Sequence, residues 1–463
     1  MSIKYVSTRG KAPDLEFEDV LLAGLASDGG LYVPETLPEI DLNAVMVKSY
    51  VETAQIVIGA FLKDVIDQSD LNQIIENCYR SFDHAEVAPI VHLHDNIYVL
   101  EQFHGPTLAF KDFALQFLGR IFDAVLEKRN QHITIVGATS GDTGSAAIEG
   151  CRGRENMDIF ILHPHGRVSD VQRRQMTTVN DGNVHNIALK GSFDDCQDLV
   201  KAMFNDQPFR QRINMSAVNS INWARIMAQI VYYIYASAKL ADKYDQIAFS
   251  VPTGNFGNIY AGYLARKMGA PIDHLIVATN RNDILYRFFD QGDMKAEEVV
   301  PSLSPSMDIQ ISSNFERLLY DLYDQSAGRV EQDMQGFRKN GSFRMDQSAL
   351  NKMKELFSAY RCDDDMTQTV IKEAFDKYNY LMDPHSATGV HAAELFSNDH
   401  KQAAVICMAT AHPAKFPDAV KAASGIHPEL PEYLSDLFKR TERYDILEND
   451  IDVVKKYILD HIE

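Results

Sequence analysis

From about residue 92 onward, short apolar runs rich in β-branched residues alternate with helix-length amphipathic runs. Parallel strands can be joined only through a crossover long enough to be a helix, so this alternation commits the chain to βαβ units and a helix-covered parallel sheet. ITIVG (133–137), DIFILH (158–163) and VHNIAL (184–189) form one series of strand-like runs. IAFSV (247–251), HLIVAT (274–279) and AAVICMA (403–409) form a second. Two series predict an α/β protein of two doubly wound lobes, with mainly parallel sheets around a central cleft. In such sheets ligands bind beyond the carboxyl ends of strands. Ahead of this body, helical patterns at 17–26 and 42–66, interrupted by DGGLYVPETLP, predict an N-terminal, mostly helical unit. The expected division is 1–92, a smaller lobe at 93–215 and a larger lobe at 216–463, which carries a polar insertion at about 290–380. No internal repeat or long low-complexity tract interrupts this plan.

A chain of 463 residues with 45% hydrophobic and 24% charged side chains can bury a large active site. Its net charge of −20 argues against a nucleic-acid partner, whose phosphates would need Lys and Arg in excess. An anionic small molecule would therefore need a local cluster of cations. Cys78, Cys151, Cys196, Cys362 and Cys407 are scattered, with no CxxC pair, and read as reduced structural thiols. The first residues show no apolar core of signal-peptide type, and no run of eighteen or more apolar residues occurs. A cytoplasmic protein that neither enters nor crosses a membrane is expected.

The segment GPTLAFKDF (105–113) places Lys111 among Phe110, Phe113, Ala114 and Phe117 at the start of a helix. Desolvation in such a frame lowers an amine's pKa toward its nucleophilic neutral form, which a Schiff base to pyridoxal phosphate requires. A lone lysine on an amphipathic helix more often extends its charge into water. The neighbouring motifs decide between these readings. Asp112 is explained by the helix dipole alone.

Strand 133–137 runs into ATSGDTG (138–144), a helix start at which small residues, hydroxyls and the dipole suit a carboxylate or phosphate. It lacks the GK[ST] ending of a nucleotide-triphosphate loop. Strand 247–251 precedes Gly254, Asn255, Phe256, Gly257 and Asn258, where two glycines permit close backbone approach to a phosphate. This loop does not fit GxGxxG. The third strand end, MATAHPAKF (408–416), offers Thr410, His412 and Lys415 in one turn. His163 and His165 lack a third ligand at suitable spacing, so no metal site is expected. His104, His385 and His412 sit inside motif loops without a defined role.

Taken together, STRGKAP, DGGLYVPE, HGPTLAFKDFALQ, GATSGDTGSAA, HPHGRVSDVQRRQMTT, NSINWARI, PTGNFGN, DPHSATG and TAHPAKF resemble the threonine synthases of the longer microbial type, within the fold type II (tryptophan synthase beta-like) pyridoxal-phosphate enzymes. The resemblance spans nearly the whole chain. It implies that Lys111 holds pyridoxal phosphate covalently and moves protons. It assigns the cofactor phosphate to the loop from Gly254 to Asn258, and the pyridine nitrogen to Thr410. The implied reaction converts O-phospho-L-homoserine and water to L-threonine and phosphate by γ-elimination and β-addition. Ser140, Gly141, Asp142 and Thr143 are then expected to take the substrate carboxylate, and Arg225 and Lys415 its phosphate, with Asn219, Ser220 and Asn222 nearby. The implied assembly is a monomer or homodimer. A threonine or serine dehydratase or a sulfhydrylase of the same fold type is the nearest alternative, followed by a non-catalytic sensor.

Overall fold

The computed structural model describes residues 2–462. Both expected series form strands. A six-stranded sheet runs in the order Phe357–Arg361, His274–Thr279, Ile247–Pro252, Ala404–Ala409, Ile97–Glu101, Ile90–His94, and only the last pair is antiparallel. A five-stranded, wholly parallel sheet runs Asp445–Glu448, Val184–Lys190, Met157–Pro164, Ile133–Ala138, Met215–Ser216. The central strands are buried along all or nearly all of their length, which is why they read as continuous apolar runs rather than alternating ones.

Sheet membership and the sequence boundaries do not coincide. Strand Ile97–Glu101 lies within 93–215 yet pairs with Ala404–Ala409 in the larger sheet. Asp445–Glu448 lies within 216–463 yet pairs with Val184–Lys190 in the smaller one. The insertion likewise contributes the edge strand Phe357–Arg361.

The N-terminal region holds helices Phe17–Ala23, Tyr50–Leu62 and Gln68–Tyr79, together with an antiparallel strand pair, Tyr5–Ser7 with Tyr32–Pro34. The pattern at 42–66 is not one helix. A 3-10 turn at Leu42–Ala44 is followed by a fresh start at Tyr50, where Ser49 and Glu52 form a reciprocal capping box. The pattern at 17–26 stops at Ala23, because Gly24 adopts a left-handed φ of 65°. Tyr5, Phe17 and Tyr50 pack into the same core as the central helix Trp223–Leu240.

Two helices position the chemistry. Lys111–Arg129 and Asp142–Cys151 cross at Gly119 and Gly150. A Cβ at Gly119 would stand 2.0 Å from the Gly150 carbonyl oxygen, and one at Gly150 would stand 2.3 Å from that of Leu115. Only glycine allows this approach. It brings the two helix starts together, with Lys111 the first residue of one and Asp142 the first residue of the other.

Candidate active site

A cavity opens at the carboxyl ends of strands from both sheets, where the open-sheet rule places ligands. Among the sequence candidates it is lined by Lys111, Asp142, Thr143, Ser220, Arg225, Gly254, Asn255, Phe256, Gly257, Asn258 and Thr410. Ser140, Gly141, Asn219, Asn222 and Lys415 do not line it. Ser140 and Asn219 face solvent.

The two remaining polar absentees have structural duties instead. Asn222 caps helix Trp223–Leu240 by accepting from the Ala224 N–H at 3.0 Å, and its amide donates to the Leu21 carbonyl at 2.9 Å. Lys415 is fully buried. Its Nζ pairs with Asp142 Oδ1 at 2.9 Å and donates to the Thr107 carbonyl at 2.6 Å.

Lys111 lies within an apolar frame in which Phe113, Ala114 and Phe117 are buried. Its Nζ stands 4.8 Å from the Phe110 ring centre and 3.3 Å from Asp142 Oδ2. Burial lowers the amine's pKa, with Lys415 and Arg225 acting in the same direction and Asp142 opposing them. Burial also works to raise the pKa of Asp142, but Lys415 and Lys111 together hold that carboxyl well below its ordinary value. Asp142 accepts further from Gln172 Nε2 at 2.8 Å and Ser306 Oγ at 3.2 Å. Its carboxylate is thus committed to protein donors, and an anion could not replace it without breaking these bonds. The lysine turn itself is set by Asp112, which accepts from the Thr107 N–H at 2.8 Å and its hydroxyl at 2.6 Å. Burial pushes the Asp112 pKa up to about 6. The dipole reading of Asp112 missed this, because Thr107 approaches only once the turn has formed.

The Gly254–Asn258 loop has a different character. Phe256 sits at a left-handed φ of 63° and leads into helix Gly257–Lys267. A Cβ at Gly254 would lie 2.9 Å from Ile309 Cδ1 and 3.1 Å from the Ser306 carbonyl oxygen, so a side chain here would crowd the backbone of the inserted segment. Asn258 Oδ1 accepts from the hydroxyls of Tyr232 (2.7 Å) and Tyr233 (2.9 Å), while its Nδ2 is buried without a partner. Close backbone, a helix N-terminus and an unsatisfied amide donor fit a phosphate. Arg225 brings a positive charge to the same cavity. It is only 4% exposed, its Nη1 donates to the Val218 carbonyl at 2.9 Å and its Nε has no partner. Among the described residues no carboxylate pairs with it, and burial lowers its pKa to about 10.

The cavity also takes in residues that no motif marked as site residues. Phe110, Gln229, Thr253, Ser306, Met307 and Ala411 line it, and so does His385. Ser306 and Met307 come from the insertion, far from any glycine loop in sequence, and nothing local signals their approach. Of the other histidines, His104 pairs with Glu101 and Asp83 (2.8 and 3.2 Å), and His412 caps the 413–415 turn by accepting from the Ala414 N–H.

Family models agree with this geometry along the chain. Residues 4–79 match the threonine synthase N terminus, 83–334 the pyridoxal-phosphate dependent enzymes, and 386–458 the threonine synthase C-terminal region. The threonine synthase of Pseudomonas aeruginosa is 52% identical over 463 residues, covering 99% of this chain and 98% of that one. The crystal structure of pyridoxal-phosphate-bound threonine synthase from Brucella melitensis superposes with a TM-score of 0.97 at 50% identity, covering 99% of each chain. The yeast threonine synthase structure superposes at 0.94 with 42% identity, covering 99% of this chain and 98% of that one. These likenesses set aside the dehydratase and sulfhydrylase alternatives, and the chain belongs to the threonine synthase family.

Proposed function

We propose that this chain converts O-phospho-L-homoserine and water into L-threonine and phosphate, with pyridoxal phosphate as cofactor. One observation carries the phosphate specificity: Arg225 is a buried guanidinium without a carboxylate partner among the described residues, in the same cavity as Lys111. An acidic protein that leaves such a cation unpaired has a site whose natural complement is an anion.

When bound, pyridoxal phosphate supplies the electron sink for the charge developed at the substrate Cα. The backbone of Gly254 to Gly257 and the Asn258 amide donor, which has no protein partner, would hold its phosphate, and the Thr410 hydroxyl, which also lines the cavity, would serve its ring nitrogen. A hydroxyl, unlike a carboxylate, does not hold that nitrogen protonated. Lys111 anchors the cofactor and then moves protons at the substrate carbons, and the burial that depresses its pKa favours the neutral amine for this work. Arg225 holds the departing phosphate. The Asp142–Cys151 helix start and the Thr143 hydroxyl take the α-carboxylate, while Asp142 serves Lys111 and Lys415 rather than the substrate. The five cysteines are buried and free, which supports a reducing compartment such as the cytoplasm.

The direct test supplies O-phospho-L-homoserine and pyridoxal phosphate to the purified protein and measures both products. Equal amounts of phosphate and threonine are expected. Cofactor binding without either product would leave the fold and cofactor in place and overturn the substrate.

A further inference from the structure

His385 is 3% exposed, lines the cavity, and has no part in the chemistry above. Its two ring nitrogens have opposite duties. Nδ1 lies 2.6 Å from Asp383 Oδ2, a carboxylate oxygen that can only accept, so Nδ1 carries the proton. Nε2 lies 3.2 Å from the backbone N of Ser306, a group that can only donate, so Nε2 accepts. Asp383 thereby fixes the tautomer, and its own geometry is fixed by capping helix Pro384–Asp399: it accepts from the N–H groups of His385 and Ser386 at 2.9 and 3.0 Å.

Ser306 belongs to the inserted segment and ties it to the cavity twice, through this N–H and through its hydroxyl on Asp142 at 3.2 Å. The same segment lies across the cofactor-phosphate loop. Ser312 Oγ donates to the Gly254 carbonyl at 2.7 Å, and the Asn314 N–H donates to that of Asn255 at 3.0 Å. Its other flank is pinned by Asp308, which accepts from Asn280, Asn282 and Ser302 at 2.6–2.9 Å.

We infer that Asp383 and His385 are positioning residues that latch segment 304–314 over the cavity through Ser306, and that this latch keeps the unsaturated intermediate in place until water adds at Cβ. The inference rests on the proposed reaction. Departure of phosphate takes the electron pair of the Cγ–O bond and, with loss of a proton, leaves a four-carbon unsaturated amino acid. That species plus one water is threonine when hydroxyl joins Cβ. The same species plus one water is 2-oxobutanoate plus ammonia when it escapes and hydrolyses. The atoms are identical in both outcomes and no oxidant is needed, so escape before water adds at Cβ diverts the species from one to the other.

Asp383→Asn tests the latch: with its oxygen kept on the Ser386 N–H as a cap, its amide nitrogen takes the place of Oδ2, donates to Nδ1 and moves the proton to Nε2. His385→Ala removes the acceptor outright, and His385→Gln offers an amide oxygen in its place. Two readouts are used on the pyridoxal-phosphate-loaded protein: threonine formed per phosphate released, and hydrogen exchange at the Ser306 amide. Asp383→Asn and His385→Ala are each expected to lower threonine per phosphate, with the deficit recovered as 2-oxobutanoate and ammonia. Both should speed exchange at Ser306 by about tenfold, the loss of one hydrogen bond. The His385→Gln variant should recover part of both. Unchanged threonine yield, or unchanged Ser306 exchange, in both Asp383→Asn and His385→Ala would overturn the latch. If the unaltered protein makes no threonine, the reaction is wrong, and the Ser306 exchange rates still decide whether the contact holds the segment.

Discussion

Two helix starts face the same cavity and solve the same electrostatic problem in opposite ways. At Asp142–Cys151 the nearby cations are balanced by the protein's own carboxylate, which gathers Lys111, Lys415, Gln172 and Ser306. At Gly257–Lys267 no side-chain anion is supplied among the described residues. The backbone comes close and Asn258 keeps an unused donor. The first start organises lysines, and the second is the one we propose for a phosphate from outside. A helix N-terminus alone does not say which it is; the local balance of charge does.

The contrast can be broken at either end. Lys111→Ala should reduce turnover by more than about 10⁴-fold, since covalent anchorage and proton transfer are lost together. Its thermal melt should stay cooperative, because alanine suits a helix start. Retained turnover would remove Lys111 from the chemistry. Asp142→Asn leaves two buried ammonium groups without their counter-charge and should cost about 3 kcal/mol in denaturant titration. A cost near that of a surface substitution would mean that the first helix start is not balanced as described.

Arg225→Met should raise KM for O-phospho-L-homoserine by roughly 100-fold, or about 2–3 kcal/mol, with little loss of stability, since no partner charge is stranded. Equal weakening of cofactor and substrate would place Arg225 on the cofactor phosphate instead. Gly254→Ala forces a Cβ against Ile309 and the Ser306 carbonyl, and should weaken pyridoxal phosphate binding by about tenfold.

The smallest effect is in the pH dependence. The folded-state pKa of Asp142 is depressed, so its stabilisation is full above the ordinary carboxyl value of 3.8 and is lost as pH falls toward the folded value. Acid unfolding below about pH 4 should therefore be steeper in the unaltered protein than in Asp142→Asn. Parallel acid limbs would show that Asp142 is not held ionised by its lysines.

Much of this was legible in the sequence, for local reasons. Buried parallel strands announce themselves as apolar runs, and Lys111, Arg225 and the Gly254–Asn258 loop sit in short motifs whose chemistry is carried by adjacent residues. What escaped depends on distant segments meeting. The edge strand Asp445–Glu448 and the two-residue strand Met215–Ser216 are too short or too exposed to show a pattern. Lys415 reads as a free cation until folding buries it against Asp142, and Asn222 as a polar ligand until it caps a helix. Ser306 carries no signal at all, because its partners stand 164 and 79 positions away.

The most direct test of the account uses two lysines that share one carboxylate. Lys111 and Lys415 are both buried on Asp142, but only Lys111 lines the cavity. The protein would be loaded with pyridoxal phosphate, reduced with borohydride and digested, and the pyridoxyl group located by mass spectrometry. The account predicts a single modified site at Lys111. Modification at Lys415, or at surface lysines with Lys111 untouched, would contradict it.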